Sequence, residues 1–260
     1  MVIFLIDIGD YITRNSYKND MVFEVINRKK DILFLKGIDF RLYADAPVTD
    51  CILVDKKKIK SDFNPPEIDN KMERSEYFYL PGKILHLDGD NEYLKRCMSY
   101  YKKNNVFAVG KKIEEKEIPN DIKGILEDIK PDIVVITGHD AYYRKNGDKK
   151  NINNYQNSIN FVNAVKQARK YEHAHDKLII IAGACQSDYE ELIKSGANYA
   201  SSPARVNIHA LDPAIIATSL ALTERNKEID LISLLDQTRN GKDGMGGIIS
   251  NGMMFVGYPR

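Results

Sequence analysis

Two residues that can act together as a nucleophile and a base each follow a short, uncharged apolar run. Cys185 follows LIIIAGA, and His139 follows IVVITG. Such runs are typical of strands that are buried on both faces of a parallel sheet. The carboxyl ends of these strands share one edge, and ligands bind there. If the two strands are neighbours, we expect a thiol and an imidazole to meet at that edge, as a cysteine nucleophile meets its base.

Each of these residues also has an ordinary structural interpretation. Most free cysteines are small buried hydrophobic residues, and a single histidine is often only a hydrogen-bonded core residue. Cys185 is favoured as functional because Gln-Ser-Asp follows it and predicts a helix start, which favours a thiolate. His139 is followed by Asp140, whose carboxylate could fix the tautomer of the ring. For Cys51 and Cys97 the core interpretation is preferred.

The composition argues against several other classes of protein. The 260 residues are 43% hydrophobic and 29% charged, which is typical of a globular chain without a membrane span. The net charge of +1 supplies no overall field for nucleic acid or an anionic membrane, so neither is expected as a partner. Three cysteines, an odd number, favour a reducing compartment. The opening MVIFLIDIGD predicts a strand and not a signal peptide, because it has no basic region or cleavage site.

No cofactor or metal ion is expected. Of the five histidines only His173 and His175 are close in sequence, and no cysteine lies beside them. The glycine-rich GMGG segment near the C-terminus follows no predicted strand and has no Lys-Ser/Thr ending, so it does not predict a phosphate loop.

The pattern of the chain predicts two domains. Residues 1–58 contain about five short stretches rich in β-branched and aromatic residues, and we expect a small SH3-like or KOW-like β-barrel. Residues 59–82 follow a run of three lysines and contain a Pro-Pro pair and a final Pro-Gly, which predict a linker. In residues 83–260 strands alternate with helices, including a helix over 158–171, which predicts an α/β domain with a mostly parallel sheet flanked by helices. The glycine-rich tail predicts a loop or hairpin.

The order of the two reactive residues separates the possible thiol chemistries. His139 precedes Cys185 by 46 residues. Caspases likewise place their histidine roughly 50 residues before the cysteine, each after an apolar strand. Class I glutamine amidotransferases put the nucleophile first, and that order is absent here. The spacing therefore favours a caspase-like peptidase.

Five separated segments extend in order over nearly the whole chain: GDYITRNSY, ILHLDGD, PDIVVITGHDAYY, AGACQS and GANYASSPARVNIHALDP. Together these segments resemble the YabG family of sporulation-specific proteases of endospore-forming bacteria. The resemblance implies a cysteine endopeptidase that acts on spore coat and related proteins and prefers to cleave after arginine. It implies a location in the mother-cell cytoplasm of the sporulating bacterium, with association to the spore coat. The strand layout is similar to the caspase, clostripain and gingipain group of folds.

The resemblance also assigns roles at the predicted site. Cys185 attacks the scissile carbonyl and His139 protonates the leaving amine. The oxyanion is stabilised by the backbone N–H of Cys185 and by one near His139, at Gly138 or Asp140. The related proteases commonly carry glycine directly after the histidine, whereas this chain has Gly138 before it and Asp140 after it.

A preference for arginine requires a carboxylate in the substrate pocket. The end of the first strand of the α/β domain supplies Asp88 and Asp90, and Asp188 and Asp140 are further candidates. The ordinary structural interpretation of each is a turn-forming aspartate. An alternative function from a different class also stays open: a non-catalytic coat-docking or scaffold protein, in which the barrel binds a partner and Cys185 is buried. The oligomeric state cannot be predicted.

Overall fold

The structure is a computed structural model, and it describes residues 6–56, 59, 63–68, 76–143 and 147–259. The chain divides into two compact units, residues 1–64 and 65–260. Residues 60–62 and 69–75 of the predicted linker lie outside the described residues.

The N-terminal unit is an antiparallel sheet of five strands in the order β4-β3-β2-β1-β5. The strands are Tyr11–Arg14 (β1), Phe23–Lys29 (β2), Ile32–Gly37 (β3), Tyr43–Pro47 (β4) and Cys51–Leu53 (β5). Alternate residues of β3 point to opposite faces, and Leu33 and Leu35 are buried against Phe23 and Val25 of β2. One face of this sheet therefore forms a small hydrophobic core.

The C-terminal unit contains a sheet of six strands in the order β12-β11-β10-β9-β7-β8, in which only β12 runs antiparallel to its neighbour. Two further strands, β6 and β13, pair with each other. The strands are Phe78–Leu80 (β6), Ile84–Asp88 (β7), Ala108–Lys112 (β8), Ile133–Thr137 (β9), Ile179–Ala182 (β10), Tyr199–Ser201 (β11), Met245–Gly247 (β12) and Phe255–Gly257 (β13). The helices are Asn91–Lys103 (α1), Ile118–Ile129 (α2), Ser158–Tyr171 (α3), Tyr189–Lys194 (α4), Asp212–Leu222 (α5), Leu231–Asp236 (α6) and Gly241–Gly244 (α7).

The six-stranded sheet has helices on both faces, which confirms the predicted α/β class. Leu85 and Leu87 of β7 pack with α2 and α3 in one hydrophobic core. His86 lies between them in sequence and faces the other side, where its Nδ1 is 2.8 Å from the hydroxyl of Tyr101 in α1. Helix α5 contacts β9 and β10 and is buried around its whole circumference, as its apolar sequence DPAIIATSLAL dictates.

The C-terminal tail differs from the sequence prediction of a single loop or hairpin. Its two strands do not pair with each other. β12 adds to the edge of the main sheet beside β11, and β13 pairs with β6, more than 170 residues earlier. The short helix α6 was also missed, although Asp230 accepts a hydrogen bond from the Ser233 amide at its start.

Candidate active site

The strands that carry the two predicted catalytic residues are parallel neighbours. β9 and β10 pair with Ile136 opposite Ala182. His139 and Cys185 each lie three residues beyond these paired positions, at the carboxyl edge of the sheet. The predicted adjacency of the two strands is therefore confirmed.

Hydrogen bonds hold the turns after these strands close together. The Gly183 amide donates to the Ile136 carbonyl at 3.0 Å, and the Thr137 hydroxyl donates to the Gly183 carbonyl at 2.9 Å. Gly183 has a φ of +103°, and a Cβ there would lie 2.3 Å from the Ser201 Oγ. The turn that delivers Cys185 therefore requires glycine.

The thiol of Cys185 is buried, with no exposed surface. Its Sγ is 3.3 Å from the amide nitrogen of Ile208 and 3.7 Å from the Ile208 carbonyl oxygen. The neighbouring Gln186 donates its amide to the Val206 carbonyl at 3.0 Å and its side chain to the Asn207 side chain at 2.9 Å. Residues 202–208, which we call the covering loop, therefore close over the thiol.

The side chain of His139 is 8% exposed and is held on several sides. Its Nε2 is 3.2 Å from the Oδ2 of Asp90, and its backbone amide donates to the Oε1 of Glu115 at 2.8 Å. Its carbonyl accepts from the side-chain amide of Asn157 at 2.9 Å, and the Tyr93 ring lies 5.6 Å from the imidazole, centroid to centroid. Both the ring and the backbone of His139 are thus fixed by side chains from other elements.

Asp88 and Asp90, the first two predicted substrate-binding acids, are both engaged within the protein. Asp88 is fully buried at the end of β7, where its Oδ1 accepts from the Asp90 amide at 2.9 Å and its Oδ2 is 3.5 Å from the His86 Nε2. Asp90 caps α1, because its Oδ1 accepts from the amides of Glu92 and Tyr93 at 2.8 and 3.2 Å. A substrate arginine would therefore compete with these internal partners.

Asp188, the third predicted substrate-binding acid, belongs to a buried ion pair. Its Oδ1 is 3.2 Å from the guanidinium of Arg205, which also contacts the Glu190 carboxylate and donates from Nε to the Tyr155 hydroxyl at 2.7 Å. Burial raises the pKa of Asp188. Burial is the largest single influence on Glu190 and acts to raise its pKa, but the hydrogen bonds to this carboxylate and the charge of Arg205 together lower that pKa. Arg205 therefore ties the covering loop to the start of α4.

The carboxylate of Asp140 joins the segments that follow β9 and β10. It is 2% exposed, and its Oδ1 accepts from the amides of Ala141 and Asn157 at 2.9 and 2.7 Å. Its Oδ2 accepts from the hydroxyls of Ser158 and Ser187 at 2.5 and 2.8 Å. Burial raises the pKa of the Asp140 carboxyl, and these four hydrogen bonds act in the opposite direction.

Glu115 is a residue of the site that the sequence reasoning missed. It lies in the segment between β8 and α2. A Cβ at Gly89 or Gly138 would lie 2.2 or 2.3 Å from its Oε1, so the carboxylate rests on both glycines and reaches the His139 amide. The sequence feature that could have pointed to a side chain above this edge is that Gly89 and Gly138 each directly follow a strand of the same sheet.

Within the residues that the structure describes, no group of three His, Cys, Asp or Glu residues is arranged to hold a metal ion. In the same part of the chain, no helix is both long and apolar enough to cross a membrane.

Comparison with known proteins places the chain in a family. The model of the YabG peptidase U57 family matches residues 7–74 and 63–259. The chain belongs to the YabG peptidase family. It is 39% identical over 284 aligned positions to the sporulation-specific protease YabG of Bacillus subtilis (strain 168), with 97% of each chain covered. The resemblance predicted from the sequence is confirmed, and the chain is a sporulation protease of the U57 family. No solved structure matches it.

Proposed function

We propose that this YabG-family peptidase is a cysteine endopeptidase in which Cys185 is the nucleophile and His139 its base. One observation supports this above the others: both residues lie three positions beyond paired residues of adjacent parallel strands. Equal offsets on neighbouring strands bring two side chains to the same edge of a sheet. The proposed mechanism requires the thiol and the imidazole to lie within proton-transfer distance of each other at that edge.

The proposed reaction is acyl transfer to the thiol. His139 takes the proton of the Cys185 thiol, and the thiolate attacks the carbonyl carbon of the scissile peptide bond. The C–N bond breaks, His139 gives its proton to the leaving amine, and water then hydrolyses the thioester. The Cys185 amide and an amide at Gly138 or Asp140 are the proposed oxyanion donors. The His139 amide is not available for this role, because it donates to Glu115.

Cleavage requires the covering loop to move. Cys185 has no exposed surface, and the Ile208 amide contacts its sulfur. A polypeptide can reach the sulfur only after Ile208 withdraws. The same burial is the observation that favours the second candidate, a non-catalytic coat-docking protein in which Cys185 is part of the core. Activity measurements on point variants separate the two.

The preference for arginine is proposed from the family resemblance, with Asp88, Asp90 and Asp188 as the candidate acids. All three lie at the carboxyl edge of the sheet or directly after it, where a substrate would bind. Replacing the acid that receives the guanidinium with asparagine should lower cleavage of arginyl substrates by on the order of 10²-fold, since a charged partner would be left unpaired.

We also propose the fold type of each domain, the domain bounds, the substrates and the place of action. The order of β-strands around the reactive residues supports a caspase-like arrangement, and the five-stranded antiparallel sheet supports an SH3-like or KOW-like barrel. The two domains are proposed as 1–58 and 83–260, joined by a linker at 59–82. Spore coat and related proteins are the proposed substrates, with action in the mother-cell cytoplasm and association with the coat.

The test compares the wild type with Cys185→Ala, His139→Ala and the control Cys97→Ala, which also removes a buried thiol. Each is incubated with an unstructured protein and with arginyl and lysyl fluorogenic peptides. We expect Cys185→Ala to lose on the order of 10³-fold or more, His139→Ala to lose strongly, and Cys97→Ala to keep its activity. Full activity in Cys185→Ala would refute the proposed nucleophile.

A further inference from the structure

Asp90 divides its carboxylate between a helix and the proposed base. Its Oδ1 accepts from the first amides of α1, at Glu92 and Tyr93. Its Oδ2 lies 3.2 Å from the Nε2 of His139. The side chain is only 7% exposed, so solvent screens this contact weakly. The helix cap thus fixes one oxygen and thereby orients the other towards the imidazole.

A carboxylate beside Nε2 determines which nitrogen of the histidine ring carries the proton. A hydrogen bond from Nε2–H to Asp90 keeps the proton on that nitrogen, so Nδ1 carries the lone pair that can accept a proton. After His139 takes the proton from the thiol, the ring is positively charged and the carboxylate stabilises it. The role is that of the third group in a nucleophile, base and orienter arrangement.

We propose that Asp90 is a positioning residue, which sets the tautomer of His139 and stabilises its protonated form during acyl transfer. This proposal rests on the proposed cysteine mechanism. It differs from the sequence prediction of Asp90 as a substrate-binding acid, because both carboxylate oxygens already have partners inside the protein. Glu115 is the other carboxylate beside His139, and it contacts the backbone amide.

The decisive variant is Asp90→Asn. Asparagine is as good a helix cap as aspartate, so α1 keeps its start while the negative charge is lost. Asp230→Asn is the matched control, because Asp230 caps α6 through the same type of hydrogen bond and is exposed. Asp90→Ser, which also caps helices, is a second variant if circular dichroism shows that the asparagine variant is unfolded.

Steady-state rates are measured against pH with an arginyl peptide. We expect kcat of Asp90→Asn to fall about 10- to 100-fold, less than the roughly 10²- to 10⁴-fold that general acid–base catalysis supplies, because the base itself remains, while KM stays within about twofold. The acidic limb of the kcat profile, where the base becomes protonated, should move to lower pH, because no carboxylate then favours the imidazolium. Asp230→Asn should match the wild type in kcat, KM and profile.

Two results would overturn the proposal. One is a wild-type kcat and pH profile in Asp90→Asn, and the other is a loss confined to KM for arginyl peptides, which would assign Asp90 to substrate binding. Cys185→Ala in the same assay keeps the two hypotheses apart. An inactive Cys185→Ala with a fully active Asp90→Asn refutes only the positioning role, whereas an active Cys185→Ala refutes the cysteine mechanism and the positioning role with it.

Discussion

Replacing Asp140 with alanine should destabilise the α/β unit. The change removes the acceptor of four hydrogen bonds, from the amides of Ala141 and Asn157 and from the hydroxyls of Ser158 and Ser187. The two amides cannot rotate to other acceptors, and each buried unpaired donor costs about 1–3 kcal/mol. Removal of a buried charge offsets part of this cost.

The net loss in the free energy of unfolding should be about 3 kcal/mol, within the usual range for a broken buried network. For a unit of this size, that corresponds to a fall in Tm on the order of 10 °C. Differential scanning calorimetry of the full chain measures it directly. A Tm for Asp140→Ala within about 2 °C of the wild type would refute the reasoning.

Asp140→Asn is the matched variant and should lose about half as much stability as Asp140→Ala, because its Oδ1 can still accept from both backbone amides. Its amide group would face the hydroxyls of Ser158 and Ser187. In the wild type these two hydroxyls accept from the amides of Asp188 and Ala184 and donate their protons to Asp140. The asparagine amide group can donate but cannot accept, so both hydroxyl protons would lose their acceptor. A loss in Asp140→Asn equal to that in Asp140→Ala would contradict this division of the contacts.

The pH dependence of stability provides a second test of Asp140. Burial raises the pKa of this carboxyl above its ordinary value of 3.8, so the folded protein holds the proton more tightly than the unfolded chain. The contribution is fully present below pH 3.8 and is lost as the pH rises through the pKa of the folded state. The wild type should therefore gain stability relative to Asp140→Asn as the pH falls towards that window. A constant difference in the free energy of unfolding between the two proteins would exclude the effect.

Two further pairs of substitutions, each a variant and its control, test the neighbouring contacts. Gly138→Ala places a Cβ 2.3 Å from the Glu115 Oε1, so the flexible carboxylate must leave the histidine amide, and peptidase activity should fall about 10-fold. Gly124→Ala is the control, because Gly124 is an exposed position of α2 with open space around it. It should keep peptidase activity and raise the Tm. The same peptidase activity in the Gly138 and Gly124 variants would contradict the role of Glu115. Arg205→Ala leaves a buried carboxylate uncompensated and should cost about 3–5 kcal/mol in urea unfolding. Lys194→Ala removes an exposed ion pair and should leave the urea midpoint almost unchanged. Similar urea midpoints for Arg205→Ala and Lys194→Ala would show that the buried ion pair contributes no more to the free energy of unfolding than the exposed pair.

Much of the α/β fold could be predicted because its local signals agree with its tertiary structure. The runs before His139 and Cys185 are apolar on both faces, which only a buried parallel strand explains, and the structure pairs them side by side. Helix α3 begins at Ser158 and ends at Tyr171, as its apolar period predicts.

The remaining features depend on contacts that are distant in sequence. β12 and β13 consist of three residues each, and they become strands only because β11 and β6 supply partners. Glu115 is one of several acids in a loop, and nothing local distinguishes it from Glu114. Its place in the site follows from the space above two glycines, which exists only after the sheet has formed. Asp90 was also difficult to place from the sequence. Its helix cap is a local contact, but its contact with His139 joins residues that are 49 positions apart.

The matched positions of His139 and Cys185 along β9 and β10 have a consequence for tolerated changes in length. The 45 residues between them include residues 147–157 and helix α3, which lie outside the sheet. An insertion in an exposed part of that segment would leave both strand ends where they are. Removing one residue between Ile136 and His139 would instead retract the imidazole by about 3.3 Å relative to the sulfur. The chain can therefore lengthen between its two reactive groups but not between either group and the sheet.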